Sequence, residues 1–207
     1  MIEHRCPHQG HGLGLVMGLC HIVHWRCEQG FSLKSHLPSF IELRGEHNIA
    51  LVAEHAIHHQ LQVDVAMQSA TRRTHRCSAL ARTVDLEFLR CLTGTHHLKE
   101  ALSRAGVGEG AKSGWMIYLP SWSENEHQSD ETDSPSSFTK PSLSYVAAGD
   151  ECMAGLDFAS IGLEFDSVEP TIRINDFPSL GITQQVAKNV DPLPVLLGHV
   201  ANADLVA

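Results

Sequence analysis

Two glycines, Gly94 and Gly106, punctuate the most regular apolar pattern in the chain, and that pattern narrows what the chain can fold into. Thr83 reads as a helix cap, with Asp85 and Glu87 in the first turn, where negative charge suits the positive end of the helix dipole. Val84, Phe88 and Cys91 line one side and Leu86, Leu89 and Leu92 adjoin it, a stripe broad enough to predict a well-buried helix. Gly94 stops it. Thr95 is placed to cap a second helix, which carries Leu98, Leu102 and Ala105 on one face and ends at Gly106. The spacing predicts a tight helix pair, residues 83–93 and 96–105, joined at Gly94.

Strand signals flank this pair. Asn48 to Ala53 is short and apolar, His58 to His75 follows with Leu61, Val65, Gln68 and Arg72 at helical steps, and Gly114 to Leu119 reads as a buried strand. Cys20 to Arg26 suits a further strand and Phe31 to Leu43 a helix. Near the end, Asp191 caps, Pro192 takes the first helical position, and Leu193, Leu196, Leu197 and Val200 keep helical spacing. At 207 residues these elements predict one α/β domain, a mixed sheet flanked by helices with the tight pair at its centre. Residues 1–18 are expected to form a loose extension to a domain spanning 19–207. Residues 121–142, rich in Ser, Glu, Asp, Thr and Pro, are expected to form a disordered acidic insertion, because they offer too little apolar surface to offset ordering. Weaker patterns suggest a helix over 151–161 and an extended stretch over 168–174.

The formal charge of −9 argues against a uniformly basic coat for nucleic acid. Residues 61–112 run against that balance, with eight Lys and Arg facing five Asp and Glu. The densest cluster is Arg72, Arg73 and Arg76, and His96 and Lys99 open the second helix of the pair, whose free N–H groups suit a phosphate. Any polyanion is expected there. No apolar run reaches the ~18 to 20 residues of a membrane span, and the six cysteines form no CxxC pair. The reading is a cytoplasmic protein that is neither membrane-bound nor secreted.

Gly106 to Gly110 follows a helix and precedes a strand, the reverse of a dinucleotide loop, so it is read as a turn. Nucleophile-elbow, zinc-protease and P-loop patterns are absent from the sequence. His58-His59 and His96-His97 are neighbours on helices, pointing about 100° apart, so neither pair chelates one ion by itself. Cys91 falls in the apolar stripe and reads as a core residue. No catalytic residue, metal or cofactor is predicted. The alternative is a small zinc- or thiol-dependent enzyme built on the His/Cys-rich first half, with Cys6, His8, Cys20, His24 and Cys27 as ligand types that zinc accepts.

The stretch from Ala79 to Leu102, followed by Ala105-Gly106-Val107, resembles the central motif of the small KEOPS subunits of the TPRKB-like family. The matching positions are Glu87, Leu89, Gly94, Leu98, Ala101, Gly106 and Val107. His96-His97 stands where the family carries an Arg-Gln pair, and the last helix departs from the family's charged ending. The resemblance runs in order from about residue 20 to 205. It implies a non-catalytic subunit of the complex that makes N6-threonylcarbamoyladenosine in tRNA. It also implies binding to the complex's small atypical kinase/ATPase subunit and help in recruiting tRNA through its 3′ CCA end, with no DNA partner.

Overall fold

From Cys20 to Cys27 the side chains alternate between two interiors, as a strand buried on both faces requires. Cys20 and Ile22 enter one core, Val23, Trp25 and Cys27 the other. The computed structural model describes residues 19–45, 48–122, 145–146, 156–183 and 190–205. Within them this strand, β1 (His21–Phe31), is followed by α1 (His36–Arg44), β2 (Ile49–Ala53), α2 (Gln60–His75), α3 (Val84–Leu92), α4 (Leu98–Ala105) and β3 (Ala111–Tyr118). The short strands β4 (Ser121–Trp122) and β5 (Tyr145–Val146) pair with each other. The chain closes with β6 (Glu164–Asp166), α5 (Phe177–Leu180) and α6 (Pro192–Leu205).

The main sheet has the order β2-β3-β1-β6, and each of its described pairings is antiparallel. Its register sets His24 opposite both Trp115 and Asp166, and Val52 opposite Trp115. One face carries Ala50, Val52, Trp115 and Ile117 against α2, α3 and α6, whose Ala66, Met67, Phe88, Leu92, Leu196 and Val200 complete the larger core. The other face carries Trp25, Met116 and Tyr118 against Phe40 of α1 and Phe158 of a 3-10 turn. Gly114 lies between the layers where only hydrogen fits, since a Cβ would stand 2.6 Å from the Val52 carbonyl and 2.7 Å from the Trp25 ring.

The predicted single α/β domain with a central helix pair is the observed one. Gly94 does take the left-handed conformation, φ +61°, and a Cβ there would fall 2.8 Å from the His199 ring of α6. The second helix of the pair starts at Leu98 rather than residue 96, because Thr95 accepts the His97 N–H and sends its hydroxyl to Glu100. Phe31 ends β1 instead of opening α1. Of the helix expected over 151–161, residues 158–161 form a 3-10 turn and 151–155 lie outside the described residues; the stretch expected to be extended over 168–174 carries no helix up to residue 173, and Ile174 opens another 3-10 turn. The loose extension at 1–18 lies outside the described residues. So does the acidic insertion apart from Ser121 and Trp122, which are strand.

Candidate nucleic-acid and partner interface

The helix pair is built around one carboxylate. Glu87 sits on α3, with its side chain turned inward between α2 and the loop that joins α2 to α3. Its Oε1 accepts from Arg73 Nε and Arg90 Nη2, each at 2.9 Å. Its Oε2 accepts from Arg90 Nε at 3.2 Å and from the backbone N–H groups of Leu80 and Ala81 at 3.1 and 2.9 Å. The guanidinium groups use their remaining nitrogens on carbonyls: Arg73 on Ser78 and Ala203, Arg90 on Thr95. All three side chains are 1–2% exposed. Burial alone would raise the Glu87 carboxyl, but the hydrogen bonds from Arg90 and Ala81 and the Arg90 charge outweigh it and hold the pKa below the ordinary carboxylate range.

This arrangement divides the expected cationic cluster between interior and surface. Arg73 faces the interior, with its guanidinium spent on Glu87 and two carbonyls. Arg72 is half-buried, with Nη2 3.0 Å from Ser69 Oγ. Arg76, which ends α2, is exposed, and so is Arg82 in the loop leading to α3. Cys77 between them turns the chain off α2 with φ +53°. On α4, Lys99 is exposed and His96, ahead of the helix, is half-buried. Among the described residues around the helix pair, the exposed Lys and Arg are therefore Arg76, Arg82 and Lys99. From sequence Arg82 belongs to the basic segment but not to the site, and nothing in the spacing of Arg72, Arg73 and Arg76 marks which one turns inward.

The motif residues singled out between Glu87 and Val107 are mostly used in packing. Leu89 and Ala101 are buried, and Gly94 gives the left-handed turn. Gly106 follows α4 with its N–H on Leu102 O, and a Cβ there would lie 2.4 Å from that carbonyl. Leu98 is half-buried, and Val107 packs against the smaller core. Across the junction, His199 Nε2 and Arg104 Nη1 both meet the Thr93 carbonyl, at 3.0 and 3.1 Å, and fasten α6 and α4 to the end of α3.

A second polar group, not foreseen from sequence, occupies the open end of the sheet. His24 Nδ1 is 2.6 Å from Asp166 Oδ1, and the other oxygen of Asp166 meets Arg26 Nε at 2.5 Å. Beside it Arg173 binds Glu54 at 3.1 Å and Asp176 at 3.2 Å, and Ser113 donates to Glu54. The Glu54 carboxyl is held below its usual range, first by the Ser113 hydroxyl and then by Arg173, against the opposing effect of burial. A separate cleft of about 480 Å³ lies on the opposite face, bordered by Cys27, Gln29, Ser35, His36 and Ser39.

The cysteines and histidines considered for zinc do not converge. Cys20 lies in the larger core, where burial, and after it the neighbouring Asp64, pushes its thiol up, whereas Cys27 lies on the other side of the sheet and the His24 ring is engaged by Asp166. Cys6 and His8 are outside the described residues. Among the described residues no group of three or more His, Cys, Asp or Glu is placed to hold a metal ion. Cys91 is fully buried among apolar side chains. His59 caps α2 by accepting the Leu61 N–H, while His58 is buried against Phe177. No helix among the described residues is long and apolar enough to cross a membrane. No family model matches the chain, and no curated protein matches it in sequence.

Proposed function

We propose that this chain is a non-catalytic subunit of a KEOPS-type complex. In this reading it works in the cytoplasm, binds the small atypical kinase/ATPase subunit, and helps recruit tRNA through the 3′ CCA end for threonylcarbamoyladenosine formation. The reading is supported by one observation: the motif residues from Glu87 to Val107 are invested in holding a helix pair rigid, while cations are left exposed around it. A helix pair fixed in this way suits docking, and a few phosphate contacts suffice when other subunits carry the rest of the tRNA.

The test uses the full chain with and without the small kinase subunit. The two proteins are expected to co-elute from a sizing column. Replacing Arg76, Arg82 and Lys99 together with Ala is expected to weaken tRNA binding and to lower the slope of log affinity against log salt by roughly 0.7 to 0.9 for each phosphate that is no longer neutralised. The kinase complex should persist in that variant. A parent chain that neither binds the kinase nor shows salt-dependent tRNA binding overturns the reading.

A further inference from the structure

We propose that Glu87 is a positioning residue for the tRNA-contacting surface, a single buried carboxylate that sets both the loop carrying Arg82 and the entry to α4 in one geometry. The inference rests on the tRNA-binding reading above and extends it to the residue that orders the surface.

Buried ion networks are often matched or exceeded in stability by apolar side chains of similar volume, so stability alone does not account for burying two arginines and a glutamate. The connections of the cluster supply a further reason. Oε2 of Glu87 takes the N–H groups of Leu80 and Ala81, the two residues before Arg82. Arg73, held on Oε1, grips the Ser78 carbonyl in the same loop. Arg90 joins both carboxylate oxygens and extends Nη1 to the Thr95 carbonyl, immediately before His96 and four residues before Lys99. Leu80 itself is 60% exposed, so its side chain gives the loop no apolar anchor. The loop is fixed from beneath through its backbone.

A carboxylate is the group this position demands. Four of the donors that meet Glu87, two backbone amides and two guanidinium Nε–H groups, approach from different elements, and a further Arg90 nitrogen shares Oε1. A carboxamide loses the charge and presents an NH₂ group to donors. With Glu87→Gln the loop amides lose their acceptor or the guanidinium groups lose theirs, and the two sections of surface no longer share one origin.

The experiment is a double-mutant cycle in the full-length chain between Glu87→Gln and the pair Arg76→Ala/Arg82→Ala. It reads tRNA affinity by fluorescence anisotropy, alongside amide hydrogen exchange at Leu80 and Ala81. Glu87→Gln is expected to weaken tRNA binding about tenfold, within the range of couplings seen for residues that act as one unit. It should also speed exchange at Leu80 and Ala81 while the core strands stay protected. In that background the Arg-to-Ala pair should cost clearly less than in the parent, because cations that are no longer held in place have less to lose. A second variant, Arg73→Met with Glu87→Leu and Arg90→Met, keeps an apolar core and removes the anchor, and carries the same expectation if Glu87→Gln does not fold. Strictly additive effects, or a loop that keeps its protection in both variants, overturn the proposal with tRNA binding intact. A parent that does not bind tRNA removes the functional reading itself, and the positioning role with it.

Discussion

Two clusters among the described residues pair arginines with carboxylates, one dry and one wet. In the helix pair, Glu87 and its two arginines are 1–2% exposed and each donor has a defined acceptor. At the sheet end, Arg173 and Glu54 are each 40% exposed, and Arg26 is 63% exposed against Asp166 at 27%. Water and salt can replace most of what the second cluster supplies, whereas nothing can replace a partner in the first. The difference teaches that an ion pair's weight in a fold is set by what would stand in for it. In the helix pair two buried positive charges face one negative charge, and the balance is made up by the carbonyls of Ser78, Thr95 and Ala203.

The largest break in this contrast is Glu87→Ala. Removing the anion strands two guanidinium groups out of water, and a drop of about 3–5 kcal/mol is expected in chemical denaturation. A drop under about 1 kcal/mol would place the cluster with ordinary surface pairs.

Acid sharpens the comparison by a smaller amount. The folded Glu87 pKa is depressed, so its contribution is fully present above the unfolded carboxylate value of ~4.3. It is lost as pH falls through the folded pKa, because there the unfolded chain has already taken its proton and the folded one follows. Thermal melts from pH 7 to pH 3 should fall more steeply below about pH 4 in the parent than in Glu87→Gln. Parallel curves would assign the acid limb to other carboxylates. The smallest effect is expected for Arg173→Ala: at most about 1 kcal/mol, shrinking further in high salt because the pair is half in water. A salt-independent drop of several kcal/mol would show that this end of the sheet depends on its charges as the helix pair does.

These roles were unevenly legible in the sequence. The α3–Gly94–α4 unit announces itself because apolar spacing, caps and a glycine stop all agree over a short stretch. The final helix is equally plain, with Asp191 Oδ1 accepting the Leu193 N–H as its position predicts. Arg73 is hidden because its inward turn is set by Glu87, fourteen residues on, and by Ala203 from the last helix. Local pattern carries no trace of either partner. Strand β6 is three residues long with acids at both ends, and those acids lie across from His24 and Arg26 of β1, far away in sequence. Glu87 itself reads from sequence as a helix-start charge and as part of a motif that only resembles a family's. That it collects donors from α2, α3 and a loop is visible only when those elements are brought together.

The place of β1 within the sheet also governs how the molecule must be made. This strand leaves the ribosome ahead of the rest of its sheet, and both its neighbours, β3 and β6, are encoded much later. Extending the chain from residue 31 to residue 118 takes roughly 4–17 s at ~5–20 residues per second, and through that interval Val23, Trp25 and Cys27 have no sheet to enter. Such a segment is an aggregation hazard unless polar residues interrupt it. His21, His24, Arg26 and Glu28 do so along the same strand. Arg26, which meets Asp166 at the sheet end of the folded molecule, is thus one of the polar residues that break up the apolar run of β1 while its partner strands are still to come.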